Sequence, residues 1–310
     1  MMTRAEAAAW LAERNDFLLI THHRPDGDTL GSAALLCRGL RSLGKNAFIM
    51  TNSGVTSRYE DIMEGLCVAM MSPATVVCVD VPSPEMLPEG CVPEKVALRI
   101  DHHGSATSFT PYEIVEPEAA AAGEIVYGIL QEMGVALDAE MADALFTAIS
   151  TDTGCFRFNN TTAETLEIAA ACVRAGARRY ELTQRYFEVQ SLAKVRLHGY
   201  LAENMQVFAG GRFALCCLPR QVEEELGITE DDMDNISGFP RTIEGIEMAA
   251  TIREIRSGCK VSVRANPDYD ASAVCAQFGG GGHKGAAGGN LQVTLAEAAE
   301  IVKKAMELQA

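Results

Sequence analysis

The first half of the chain alternates short apolar runs with segments whose apolar residues recur at helical spacing. Residues 17–21 (FLLIT) read as a strand, followed by a helix over about 29–43. NAFIM at 46–50, TVVCVDV at 75–81 and VALRID at 96–101 each read as a buried strand. Helices are expected at roughly 119–133, 138–150 and 161–175. Apolar strands alternating with helices predict an α/β fold, a parallel sheet covered on both faces. Residues 181–205 (ELTQRYFEVQSLAKVRLHGYLAENM) read as one long polar helix, a connector between domains. Beyond it, VFAGGRFALCCL reads as a β-hairpin turning at Gly210–Gly211, and EMAATIREI and KVSVRAN as two strands around Ser257–Gly258. A glycine-rich loop at 279–289 precedes a final helix from about 294. The predicted organisation is a parallel-sheet domain at 1–180, a helical linker at 181–205 and a smaller α+β domain at 206–310.

A chain of 310 residues, 48% hydrophobic and 22% charged, has the length and composition of a two-domain globular protein. No stretch approaches the ~20 apolar residues of a membrane span. The N-terminal segment is broken by Arg4, Glu6, Glu13, Arg14 and Asp16, so it reads as an amphipathic helix feeding a strand, not a signal peptide. A cytoplasmic location is therefore expected. Ten cysteines, among them Cys37, Cys78, Cys172 and Cys275, are scattered through apolar segments without a CxxC pair, which predicts buried free thiols. The net charge of −16, from 42 acidic and 26 basic residues, opposes binding of long nucleic acid, which needs a basic footprint. A small phosphate ligand in a local basic pocket stays compatible with it, and part of the acidity is available to metal.

The chain has only six histidines, and five fall in three short segments. THHRPDGDTLGS (21–32) follows a strand and opens a helix, so His22, Asp26 and Asp28 sit at the carboxyl end of a parallel strand, where ligands bind in open α/β sheets. One imidazole and two carboxylates suit a divalent ion such as Mn²⁺. The competing reading makes Asp26 or Asp28 a helix cap and His22 a surface loop residue. Asp80 closes the apolar run VCVDVPS, and IDHHG at 100–104 again ends a strand in an acid and two histidines. In AISTDTGCFRF at 148–158 a helix runs into Asp152, which alone would pass for an Asx-type helix end.

These four motifs, in this order, resemble the DHH phosphoesterase superfamily over about residues 16–160. The resemblance implies a pair of Mn²⁺ ions, with Mg²⁺ or Co²⁺ as alternatives. It would give His22 and Asp26 to one ion, Asp28, His102 and Asp152 to the other, and Asp80 to both, with a shared water as nucleophile. It also implies that Asp101 orients His102 and that His103 contacts the substrate phosphate. His23 has no family role and reads as a rim residue.

Residues 279–289 (GGGGHKGAAGG) resemble the GGGH-type motif of the domain associated with this family, and KVSVRAN its arginine-bearing strand. Gly280, Gly281 and Gly282 would cradle a phosphate through backbone N–H groups, with Arg264 and His283 as further contacts and Lys284 as a weaker candidate. Two-domain relatives of this kind are mostly oligoribonucleases (nanoRNases) that also act as pAp phosphatases. The resemblance thus implies hydrolysis of short RNA oligonucleotides and small nucleotides, pAp and pApA among them. It also raises a homodimer, for which the sequence offers no self-evident interface. Hinge closure about 181–205 would bring the two halves of the site together. Two further readings stay open: a nucleotide-binding regulator with little turnover, and a pyrophosphatase, which the absence of an SRKKQ-type motif opposes.

Overall fold

A computed structural model describes residues 1–72, 75–104, 106–233 and 235–310. The chain forms two compact units, Met1–Val189 and Gln190–Ala310.

The first unit is built on six parallel strands: β1 (Phe17–Ile20), β2 (Ala47–Met50), β3 (Cys67–Val68), β4 (Thr75–Val79), β5 (Val96–Asp101) and β6 (Tyr112–Val115), in the order β3-β2-β1-β4-β5-β6. Its helices are α1 (Arg4–Ala12), α2 (Gly27–Ser42), α3 (Glu60–Met63), α4 (Ala122–Glu132), α5 (Ala139–Asp152), α6 (Ala163–Arg174) and α7 (Arg179–Thr183). Strand residues alternate between two cores. Phe17, Leu19, Val77 and Val79 join the helix-covered core, whereas Ile20, Cys78 and Val96 pack with Leu87, Met86 and Phe109 from the segments between strands. Both faces are buried, as apolar parallel strands require. Small residues bring the helices close: a Cβ on Gly31 of α2 would lie 2.4 Å from the Ala144 carbonyl of α5. The chain winds outward in one direction through β1, β2 and β3 and in the other through β4, β5 and β6. The crevice beyond the carboxyl ends of β1 and β4 is therefore the topological switch point, the ligand position of open α/β sheets.

Strands β3 and β6 carry too short an apolar pattern to be read from sequence. The segment 181–205 is not one helix. Helix α7 passes into a π-helical turn, Gln184–Glu188, and a new helix, α8 (Leu192–Glu203), starts on the Ser191 cap. Leu182 and Tyr186 are buried in the first unit's core, while Leu197 and Leu201 are buried in the second unit's. Apolar residues that the polar composition masked thus divide the segment between the units.

The second unit contains β7 (Gln206–Phe208), β8 (Phe213–Leu218), α9 (Arg220–Leu226), β9 (Met248–Ile255), β10 (Gly258–Ala265), α10 (Ala271–Ala276), β11 (Gly281–His283), β12 (Ala286–Leu291) and α11 (Leu295–Glu307). The sheet order is β11-β12-β10-β9-β8-β7, antiparallel except for β8 and β9. The hairpin at Gly210–Gly211 and the strands around Ser257–Gly258 lie where the pattern put them. The glycine-rich stretch expected as a loop is largely strand, with β11 and β12 paired as a hairpin at the sheet edge. Without side chains to show alternation, such a strand is illegible to hydrophobic periodicity. The ten cysteines are all free, and Cys37, Cys78, Cys172 and Cys275 are buried. Among the described residues no helix is long and apolar enough to cross a membrane.

Candidate metal centre

Four strand and helix ends converge at the switch point. His22 lies two residues past β1, and it is buried, which removes the reading of a surface loop residue. Its Nε2 is 3.7 Å from Asp26 Oδ2 and 3.8 Å from Asp80 Oδ2. Asp26 fulfils both readings at once. Its Oδ1 caps α2 by accepting from the Asp28 and Thr29 amides at 3.1 and 3.2 Å, while Oδ2 faces His22. Asp28 is held at the N-terminus of α4, accepting from the amides of Ala122 at 2.7 Å and Gly123 at 3.1 Å, and from Ser32 Oγ at 2.8 Å. The helix dipole favours a carboxylate at that position.

Asp80 follows β4 directly, in the left-handed backbone region at φ 59°. Asp is among the few side chains that tolerate this region, and such strain gathers at functional positions. Its amide donates to the Ile100 carbonyl at 2.8 Å, and Thr29 Oγ1 ties α2 to the Val79 carbonyl at 2.8 Å. His102 and His103 follow β5, whose last residue is Asp101. His102 Nε2 stands 3.6 Å from Asp80 Oδ1, 3.7 Å from Asp28 Oδ2 and 3.6 Å from Asp152 Oδ2 at the end of α5.

Two groups of donors have ligand atoms within 4.8 Å of one another: His22, Asp26 and Asp80, and Asp28, His102 and Asp152. A third group, Asp80, His102 and His103, overlaps them. Every residue predicted as a ligand thus falls in this cluster, with Asp80 against both halves. Asp80 Oδ1 is buried and accepts no hydrogen bond. Burial and the charges of Asp28, Asp26, Asp152 and Asp101 push the Asp80 carboxyl well above the ordinary range. Burial likewise raises Asp28, and burial with the Asp28 charge lifts Asp152 to about 7. Carboxylates this close and this dry cannot all ionise without added positive charge. The donor set, oxygen-rich with imidazole, fits hard to borderline divalent cations.

One assignment needs correcting. Asp101 does not orient the His102 ring, whose Nδ1 contacts the Ala119 carbonyl at 3.1 Å. Asp101 Oδ1 instead meets His103 Nδ1 at 2.9 Å and accepts from the His102 amide at 2.9 Å. Neighbouring histidines in a strand-end motif diverge, and their spacing does not reveal which ring a preceding acid meets. With Nδ1 engaged, His103 presents Nε2 away from Asp101. Burial opposes its charged form, but the Asp101 hydrogen bond and the charges of Asp101, Asp152 and Asp28 outweigh that, and its pKa is raised. His23 is half-buried and its Nδ1 contacts the Met86 carbonyl at 3.1 Å, away from the cluster's donor groups.

In the second unit, Arg264 of β10 pairs with Ala286 of β12, which pairs in turn with His283 of β11. Directly opposed residues share a sheet face, so Arg264 and His283 flank the small Ala286 across about 10 Å of sheet. One step along the same face run Ser262, Gly288 and Gly281. The glycines have different grounds. A Cβ on Gly280 would lie 2.5 Å from the Gly288 carbonyl, and Gly282, at φ 144°, would bring one within 2.6 Å of Ala287 Cα. A Cβ on Gly281 would meet nothing within 4 Å. Packing therefore accounts for two of the three, and Gly281 faces open space. His283 and Lys284 are exposed.

A parallel α/β unit with a shared carboxylate–imidazole cluster at its switch point, joined to a small mixed-sheet unit, defines a class of two-unit α/β proteins with a multi-donor cation site. Residues 16–149 match the DHH family, N-terminal domain, and residues 212–309 match the DHHA1 domain. The chain belongs to the DHH family. It is 33% identical to the bifunctional oligoribonuclease and PAP phosphatase NrnA of Thermus thermophilus, over 98% of this chain and 93% of that one. An exopolyphosphatase-related protein from Bacteroides fragilis shares the fold at a TM-score of 0.87 and 24% identity, covering 98% and 96% of the two chains. RecJ of Thermus thermophilus, solved with Mn²⁺, aligns at a TM-score of 0.54 and 15% identity, over 98% of this chain and 55% of that one.

Proposed function

We propose that this chain hydrolyses short RNA oligonucleotides, pApA included, to mononucleotides and removes the 3′-phosphate of pAp, with two Mn²⁺ ions per site. The observation that carries the reading is the pair of donor triads meeting at the buried Asp80 carboxylate, whose Oδ1 accepts no hydrogen bond. The name of the Thermus relative supplies the substrate class.

In this reading His22, Asp26 and Asp80 would hold one ion, and Asp28, His102 and Asp152 with Asp80 would hold the other. Bound there, the pair supplies the charge that brings a water's pKa toward neutrality and offsets the phosphoryl oxygens' charge. The chain's own residues do the rest. Ser32 and the α4 amides fix Asp28, and the Ala119 carbonyl fixes the His102 ring, so the ligands are aimed before an ion arrives. His103, its Nδ1–H held by Asp101 and its protonated form favoured by the same carboxylate, donates from Nε2–H to a phosphate oxygen as charge develops there. The first unit is the catalytic domain. The second is the substrate-binding domain, contributing Arg264, His283 and the open backbone at Gly281. The protein works in the cytoplasm on small nucleotides, consistent with its net charge of −16.

Purified protein with Mn²⁺ should release AMP from pApA and from pAp, and EDTA should abolish both activities. Turnover of pyrophosphate alone, or of none of the three, would overturn the proposal.

A further inference from the structure

Strand β5 carries a charged residue where the pattern VALRID calls for an apolar one. Arg99 is 1% exposed and among the largest fully buried side chains. Burying a guanidinium is expensive unless its hydrogen bonds and charge are met. Its partners all belong to the surroundings of the DHH strand end. Nη1 donates to the carbonyls of Pro82, two residues past Asp80, at 3.1 Å and Thr107 at 3.0 Å. Nη2 pairs with Glu113 Oε2 at 2.8 Å, directly across on β6. Glu113 in turn accepts from Ser108 Oγ at 2.6 Å and from the amides of Phe109 and Thr110 at 3.2 and 3.3 Å.

Asp101 lies two residues along β5, hence on the same face as Arg99. Its carboxylate is fully buried, and Oδ2 accepts no hydrogen bond, with Arg99 Nη1 3.7 Å away. Oδ1 holds His103 Nδ1 at 2.9 Å. The geometry points to Arg99 as a positioning residue for His103, acting through Asp101. The guanidinium balances a buried carboxylate that otherwise faces the acids of the metal centre. It keeps Oδ2 turned toward itself and thereby Oδ1 toward the imidazole. Through Pro82 and Thr107 the same group ties together the chain leaving Asp80 and the chain leaving His103. Arg99 touches neither the donor groups of the two cation triads nor any reacting atom; its effect is the aim of one ring.

This inference rests on the proposed role of His103 toward phosphate, and its test separates the two. Arg99→Met combined with Glu113→Gln removes the guanidinium together with the carboxylate it bonds, so that Glu113 is not left as an unpaired charge and only Asp101 loses its counter-charge. The variant should stay folded and bind Mn²⁺ with the wild-type stoichiometry. Its kcat on pAp should fall about tenfold or more, the scale of losing an outer orienting group. In a His103→Gln background the same pair of changes should cost no more than about twofold, the margin within which independent effects add. Independently of turnover, the imidazole ¹H–¹⁵N spectrum should show a hydrogen-bonded His103 Nδ1–H in the wild type that the Arg99→Met/Glu113→Gln variant lacks. Equal losses in both backgrounds, an unchanged His103 signal, or loss of the fold would overturn the inference, because Arg99 would then serve the fold alone. A wild-type protein without turnover on pAp would defeat the functional reading, while the His103 signal would still decide the role of Arg99.

Discussion

At the switch point of the first unit the chemical side chains are crowded around a buried centre, with Asp28, Asp80 and Asp101 each at most 2% exposed. On the β11–β12 edge of the second unit His283 and Lys284 are exposed and lie beside glycines. The first arrangement is unfavourable by itself. Like charges in a dry site raise one another's pKa values, and either bound protons or an added cation must resolve the conflict. The second carries a milder conflict: burial and the nearby Arg241 charge lower the Arg264 pKa, while His283 and Lys284 stay exposed. It offers a strip of small residues, Ala286 with Gly288 and Gly281, beside Arg264 and His283. A cation site is therefore recognisable from the strain it places on the fold, whereas a phosphate-contact surface is recognised mainly from what its residues leave open.

The sharpest way to break this contrast is to remove the shared carboxylate. Asp80→Ala should abolish binding of both ions in a calorimetric Mn²⁺ titration. It should lower activity well beyond the ~10–100-fold that loss of an outer partner brings. His23→Ala, at a residue whose ring meets the Met86 carbonyl, should keep most of both. Equal losses in the two variants would dismantle the ligand set. For the second unit, Arg264→Ala should leave the ion titration unchanged and reduce kcat/KM by roughly 10–100-fold, the worth of a charged hydrogen bond of about 1.5–3 kcal/mol.

The strain itself is measurable. The folded Asp152 carboxyl titrates near 7 against an ordinary value of 3.8, and Asp80 and Asp28 shift in the same direction. Between these limits the folded metal-free protein holds more protons than the unfolded chain, so stability falls as pH rises. The contribution is fullest below the unfolded carboxylate range and is lost as pH climbs through about 7. Thermal unfolding in EDTA should therefore show a lower midpoint at about pH 8 than at about pH 5 from this cluster. Saturating Mn²⁺ should reverse the loss, by ~2.7 kcal/mol at 100 times Kd. A midpoint in EDTA that does not fall across this range would remove the argument that the cluster is built for cations.

The motifs of the first unit were legible because strand ends that finish repeatedly in Asp or His are rare, and the sheet then gathers them at one crevice. What the chain order could not convey is orientation. Nothing in Asp101-His102-His103 says that the acid meets the second ring and the Ala119 carbonyl the first, because Ala119 arrives from a separate segment leading into α4. Ser32 was equally invisible, an ordinary helical serine until Asp28 lands beside it four residues back. Arg99 did leave a signal, a charge inside an apolar strand, which marks a buried pair whose partner the sequence cannot name. In the second unit the glycine cluster announced itself but hid its strand, because alternation needs side chains.

That hidden strand allows the finest test. Gly282 needs its missing Cβ for packing, with φ at 144° and Ala287 Cα 2.6 Å from the added atom. Gly282→Ala should destabilise the second unit by roughly 1–3 kcal/mol and weaken activity only through the loss of folded protein. Gly281 has no such need, since its added Cβ would touch nothing within 4 Å and its backbone is unstrained. Gly281→Ala should leave the unfolding midpoint within about ±0.5 kcal/mol of wild type. If the strip beside Arg264 and His283 is where a phosphate approaches the backbone, the same methyl should raise KM for pAp with the ion titration unchanged. An unaltered KM would mean that the open space at Gly281 serves no ligand, and the second unit's contribution would then reduce to the side chains of Arg264 and His283.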